Sequence, residues 1–204
     1  MRGIWMVIAG LALLIAGAAG LAFMPAFGDR PLVSTCPGGA CLDDGAGGTA
    51  SAVDAMFIEE MIPHHDDAIA MAELALERAT HDELRGLAED IIRTQTAENA
   101  LMRRWYREWF GSVVPESTGR GGMMGRGMMG GAMTDLGALE DAADFDREFI
   151  EQMIPHHRMA IMMSRMAGNN TRRPEMRDLT RSIIRTQSDE IEKMQTWYRE
   201  WYGR

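Results

Sequence analysis

The 204-residue sequence predicts an all-α protein: a four-helix bundle built from two duplicated helical hairpins, preceded by an N-terminal transmembrane or signal helix. Three observations carry this. Residues 57–111 align with 149–203 at a constant offset of 92 without a gap, and 28 of the 55 aligned positions are identical, so one unit occurs twice. Within each unit apolar residues recur at helical spacing, and Val, Ile and Thr never form the alternating runs of a half-buried strand. A hairpin of this length cannot bury both faces alone, so the two units should pair.

The chain opens with Arg2 and an apolar run from Ile4 to Met24, with no further charge before Asp29. The run is about as long as a bilayer-spanning helix, roughly 20 residues, and longer than an ordinary signal-peptide core of about 7–15. Ala26-Phe27-Gly28 is a small-x-small sequence that a signal peptidase could cut. An uncleaved anchor over 1–28 is preferred to a cleaved signal. Either way the positive-inside rule keeps Arg2 in the cytoplasm and exports the body. Residues 29–50, rich in Gly, Pro and Ala, read as a flexible tether. It holds the only cysteines, Cys36 and Cys41. Outside the cytoplasm they suit a small disulfide loop or idle thiols better than a metal site, because two ligands are too few to close one.

Repeat 1 occupies 51–111, with a first helix from about Val53 to Arg78 and a second from about His81 to Phe110, stopped by Gly111. Residues 112–134 form a Gly/Met-rich linker on which no helix or strand is to be forced. Repeat 2 occupies 135–204 and copies the hairpin, with Gly203 closing it, and both repeats make one bundle domain. Residues 57–111 hold 12 acids and 6 bases, and 149–203 hold 7 acids and 9 bases, so the halves attract weakly.

Four of the five histidines, His64, His65, His156 and His157, stand at matched positions. At about 100° per residue, Met61, His64, His65, Ala68 and Met71 share one stripe, and Met153, His156, His157, Ala160 and Met163 repeat it. On the second helices Gln95, Glu98, Met102 and Trp105 share a stripe, as do Gln187, Glu190, Met194 and Trp197. If the hairpins turn these stripes inward, imidazole, thioether and carboxylate meet. Thioether with imidazole suits Cu(I) or Ag(I), and imidazole with carboxylate suits Cu(II). The metal-ligand set is therefore Met61, His64, His65, Met71, Glu98 and Met102 in one unit. In the other it is Met153, His156, His157, Met163, Glu190 and Met194.

Bland readings compete with this. A Met stripe at helical spacing is usually core, and the Trp and Tyr residues are packing anchors. Glu98 and Glu190 could be partly exposed or could orient a histidine. Two adjacent imidazoles on a half-apolar face, duplicated, are costly to bury without partners. His81 aligns with Arg173 and receives no role. Pro63 and Pro155, just before the His pairs, either kink the first helices or begin their regular part. Met123, Met124, Met128, Met129 and Met133 sit among glycines, where they could capture Cu(I) or Ag(I) weakly or reflect low-complexity drift.

The sequence Met-Ile-Pro-His-His, then Ile-Ile-x-x-Gln-x-x-Glu, then Met-x-x-Trp, resembles the family called domain of unknown function 305, over 57–111 and again over 149–203, as two tandem copies. The resemblance implies a ferritin-like fold, frequent export, and in some members copper binding and resistance.

The acidic balance, net -9, argues against nucleic-acid binding by a broad basic surface. The leading expectation is an extracytoplasmic copper or silver buffer or chaperone, not an enzyme, with a metal ion and the membrane as partners. A structural or envelope-interaction bundle without metal is the alternative. A ferritin-like di-metal enzyme ranks below both, since Met61 and Ile62 stand three residues before the histidines where such sites use Glu. Metal binding should weaken below about pH 6.5, the ordinary value for histidine.

Overall fold

The computed structural model describes residues 45–116 and 134–203. The apolar run Ile4–Met24, Cys36, Cys41 and the linker methionines lie outside the described residues. Helices α1 (Gly45–Arg78), α2 (Asp82–Phe110), α3 (Leu136–Asp141), α4 (Phe145–Asn170) and α5 (Pro174–Tyr202) follow one another, with no strand among the described residues. None of these helices is long and apolar enough to cross a membrane.

The two hairpins form as the periodicity predicts, with differences at their edges. Helix α1 begins at Gly45, eight residues before Val53 and inside the expected tether. Each glycine in a helix costs about 1 kcal/mol, but extending an existing helix avoids the nucleation cost, and Ala46, Ala50 and Ala52 are strong helix formers. Pro63 and Pro155 lie inside α1 and α4, so neither begins a helix. Each deprives the carbonyl four residues earlier, at Glu59 or Glu151, of its helical donor. Gly111 closes α2 in the left-handed conformation at φ 68°, its N–H donating to the Arg107 carbonyl. Gly203 closes α5 differently, in an extended conformation at φ -72°. The short α3 was not expected. Asp135 caps it by accepting from the Ala138 N–H at 2.9 Å, Leu139 is buried, and Arg78 donates to the Leu139 and Ala142 carbonyls.

Helix α1 packs on α2, α4 on α5, and α1 on α4. The core falls into two apolar clusters. One joins the C-terminal half of α1 and the N-terminal half of α2 to the N-terminal half of α4, including Phe149 and Met153, and to Met194 of α5. The other joins Phe57, Met61 and Met102 to Met163, Met176 and Ile183, where the halves are exchanged. The hairpins thus run antiparallel, and residue i of one meets the surroundings of residue i + 92 in the other. That is the signature of an isologous, two-fold interface. Burying each large apolar side chain here contributes roughly 1.5–3 kcal/mol.

The same symmetry builds the two ends. Asp146, buried on α4, accepts from the Thr80 N–H at 2.9 Å, the Thr80 hydroxyl at 2.6 Å and the His81 N–H at 2.9 Å. The His81 Nδ1 stands 2.5 Å from the same carboxylate, and its ring stacks on Trp201 with centroids 3.6 Å apart. At the other end Asp54, buried on α1, faces the Arg173 Nε at 3.4 Å, and Arg173 lies over Trp109 with its Cζ 4.1 Å from the ring centroid. Each aspartate therefore ties down the turn of the opposite hairpin.

Candidate metal centre

The sequence places a two-residue histidine step midway along the first helix of each hairpin, and antiparallel pairing brings the two steps together where α1 crosses α4. His64 and His156 meet face to face on the pseudo-twofold axis, ring centroids 3.7 Å apart and planes tilted by 36°. His65 and His157 are fully buried and turn to the second helices. The His65 Nε2 lies 2.9 Å from Glu98 Oε2, and the His157 Nε2 lies 2.7 Å from Glu190 Oε2. Four imidazoles thus form a polar layer with an apolar cluster on either side.

The layer is short of partners. Among the described residues, both ring nitrogens of His64 and His156 and the Nδ1 atoms of His65 and His157 are buried without a hydrogen-bond partner. Burial, followed by the neighbouring imidazoles of His65 and His157, pushes His64 down to about 3. The same causes, burial first and then the other three histidines, hold His156 well below the usual range. Both rings are neutral in ordinary conditions, the form in which imidazole ligates metals.

The six expected methionines are all buried, and they divide by cluster. Met71, Met153 and Met194 share one with Phe149, and Met61, Met102 and Met163 share the other with Phe57. Each set of three comes from three helices and maps onto the other by the offset of 92. Among the described residues no group of three or more His, Cys, Asp and Glu side chains is placed to hold a metal ion. A closed site here would need thioether sulfur beside imidazole.

Three features escaped the sequence reading. Gln95 and Gln187, one turn before Glu98 and Glu190, are buried with side-chain carbonyl oxygens lacking a partner among the described residues. Their place on the polar stripe was the available signal. His81, given no role, anchors one end of the bundle. Asp54 and Asp146 were overlooked although they are identical at the same offset, three residues upstream of the aligned unit. A groove on the outer face of α4 and α5, lined by Pro155, Arg158, Tyr198 and Arg199, includes none of the four histidines.

Four long helices around a duplicated layer of imidazoles, flanked by buried thioethers, define an all-α bundle with a soft-donor centre. The chain belongs to the family described as domain of unknown function (DUF305), whose profile matches residues 54–198 in one stretch spanning both hairpins. Among solved structures, CopM in the Cu(II)-bound form is 53% identical with a TM-score of 0.66, the match covering 73% of this chain and 97% of that one. CopM in a silver-bound form is 51% identical with a TM-score of 0.65, covering 74% and 98%. CopM has also been solved in Cu(I)-bound and apo forms. A DUF305 protein from Streptomyces coelicolor, described as a candidate secreted protein, is 27% identical with a TM-score of 0.64, covering 74% and 94%. An uncharacterised protein of Acanthamoeba polyphaga mimivirus is 43% identical over 49 residues, 24% of this chain and 32% of that protein.

Proposed function

We propose that this protein binds copper or silver outside the cytoplasm and acts as a buffer or chaperone for the metal, without turnover. The observation that carries the reading is the set of buried imidazole nitrogens with no hydrogen-bond partner among the described residues. Buried polar atoms are ordinarily hydrogen-bonded, and leaving one unpaired costs about 1–3 kcal/mol. A metal ion would satisfy several at once. His64, His65, His156 and His157 are the principal ligands in this reading. Met61, Met71 and Met102, with Met153, Met163 and Met194, supply soft sulfur, and Glu98 and Glu190 stand against two of the histidines. Imidazole with thioether favours Cu(I) and Ag(I), and the copper- and silver-bound forms of CopM support the same choice. Each hairpin serves as one copy of the binding unit. Export by the Ile4–Met24 segment is part of the reading, supported by the Streptomyces relative.

The test is Cu(I) affinity by competition with a chromogenic chelator at neutral pH, using the full chain with Cys36→Ser and Cys41→Ser to remove the thiols. Replacing all four histidines by Ala is expected to weaken binding by about 1,000-fold, roughly 4 kcal/mol. A fourfold variant that keeps its helical circular dichroism and binds as tightly as the parent would make the histidines core residues and sink the reading. Parallel titrations with Ag(I), Cu(II) and Zn(II) rank the metals.

A further inference from the structure

We infer that Glu98 and Glu190 are positioning residues: each fixes its histidine in the Nε2–H tautomer and so makes Nδ1 the atom that meets the metal. The inference rests on the metal-binding reading above and replaces a ligand role for the two carboxylates.

The geometry is the same in both hairpins. His65 Nε2 and Glu98 Oε2 are 2.9 Å apart, and His157 Nε2 and Glu190 Oε2 are 2.7 Å apart. An ionised carboxylate only accepts hydrogen bonds, so the hydrogen is on Nε2 and the imidazole donates. A neutral ring has one N–H and one lone pair, which leaves the lone pair on Nδ1. In both histidines that Nδ1 is buried and has no partner among the described residues. A ring whose far nitrogen is tied to a carboxylate while its near nitrogen is bare matches the arrangement of metal-ligating histidines, whose other nitrogen usually donates to a carboxylate.

Both rings are fully buried, whereas the Glu98 and Glu190 side chains keep 17% and 6% of their surface. The Nδ1 atoms of both rings are buried, on the opposite side of each ring from its carboxylate-bound Nε2. Withholding oxygen from the first coordination sphere leaves only imidazole and thioether there, a donor set that favours Cu(I) and Ag(I) over harder ions. His64 and His156 have no carboxylate on either nitrogen, and they supply the internal control.

Two measurements on the full chain test this. First, nitrogen-15 spectra of the metal-free protein should show His65 and His157 protonated at Nε2 and bare at Nδ1. Second, Cu(I) affinity should fall by about 10- to 100-fold in the E98A/E190A variant, the usual effect of losing such a partner. It should return to within a few-fold of the parent in E98Q/E190Q, because the Gln carbonyl still accepts from Nε2–H. Should the Ala variant not fold, the spectrum of the parent and the Gln variant decide. A bare Nε2 in the spectrum, a folded Ala variant that binds like the parent, or a Gln variant that loses affinity as the Ala variant does would each overturn the inference while leaving the metal reading standing. A parent chain that binds no Cu(I) removes both.

Discussion

At one end of the bundle a histidine rests on Trp201 and answers a buried aspartate, and at the other an arginine rests on Trp109 and answers the matching aspartate. The positions correspond one for one, 54 with 146, 81 with 173 and 109 with 201, yet the electrostatics differ. Burial pulls the Asp146 carboxyl up, but donation from Thr80 and His81 outweighs it and holds the group below the usual carboxylate range. Burial also pushes Asp54 up, and there the Thr171 hydroxyl and Arg173 offset it only in part. Asp54 also keeps one oxygen without a partner among the described residues. The offset of 92 keeps the placement of the two aspartates, while their surroundings differ. In the middle of the molecule the histidine–glutamate pairs recur in both hairpins.

The largest expected effect sets the middle against the ends. The His64 and His156 values are depressed, so the unfolded chain binds protons that the folded chain refuses. Stability is therefore full above about pH 6.5, the ordinary histidine value, and is lost progressively as pH falls below it. Urea denaturation of the metal-free protein between pH 7 and 4 measures the slope, and a His64→Leu/His156→Leu variant should flatten it. An unchanged slope in that variant would place the acid sensitivity elsewhere.

Next come the two aspartates. Asp146→Ala strands the Thr80 hydroxyl and the Thr80 and His81 N–H groups and should cost roughly 3 kcal/mol, while Asp54→Ala should cost about 1 kcal/mol. The signs of their titrations also differ. The depressed Asp146 contributes stability above the unfolded carboxylate value of about 3.9, and loses it as pH falls through its folded value. The raised Asp54 is relieved by protonation, so acid favours that end. Asp54→Asn should accordingly be near neutral at pH 7 where Asp146→Asn is clearly destabilising. Equal losses in the two variants, by denaturant midpoint, would erase the asymmetry. Smallest is Arg173→Lys, which weakens the contact over Trp109 by about 0.5–1 kcal/mol, visible as a slight fall in melting temperature.

The parts of the molecule that were legible in the sequence are those where a period or a repeat was long. The offset of 92 and the 3.6-residue stripe together located four helices, both histidine steps and the buried face holding Met61 and Met71. The edges were not legible, for local reasons. Glycines at 45, 47 and 48 hid the start of α1, because helix propensity is read residue by residue while propagation depends on what the helix already has. Helix α3 spans only Leu136–Asp141, too short to show a period. His81 looked unmatched because its partner position carries Arg. The shared property is a planar nitrogen-bearing group lying over a tryptophan ring, which residue identity does not reveal. Which nitrogen of each histidine faces a carboxylate depends on the pairing of α1 with α2 and of α4 with α5, a fact of packing that no spacing encodes.

The axis passing between His64 and His156 has one more implication. Each hairpin completes its core with its own near-copy, so the fold is a homodimer written on a single chain. Two separate hairpins would meet by diffusion and part on dilution. Carried on one chain, they meet at an effective concentration that does not fall on dilution. The imidazole layer therefore assembles equally well in one molecule or in many, and a protein that is scarce still brings its four central histidines together.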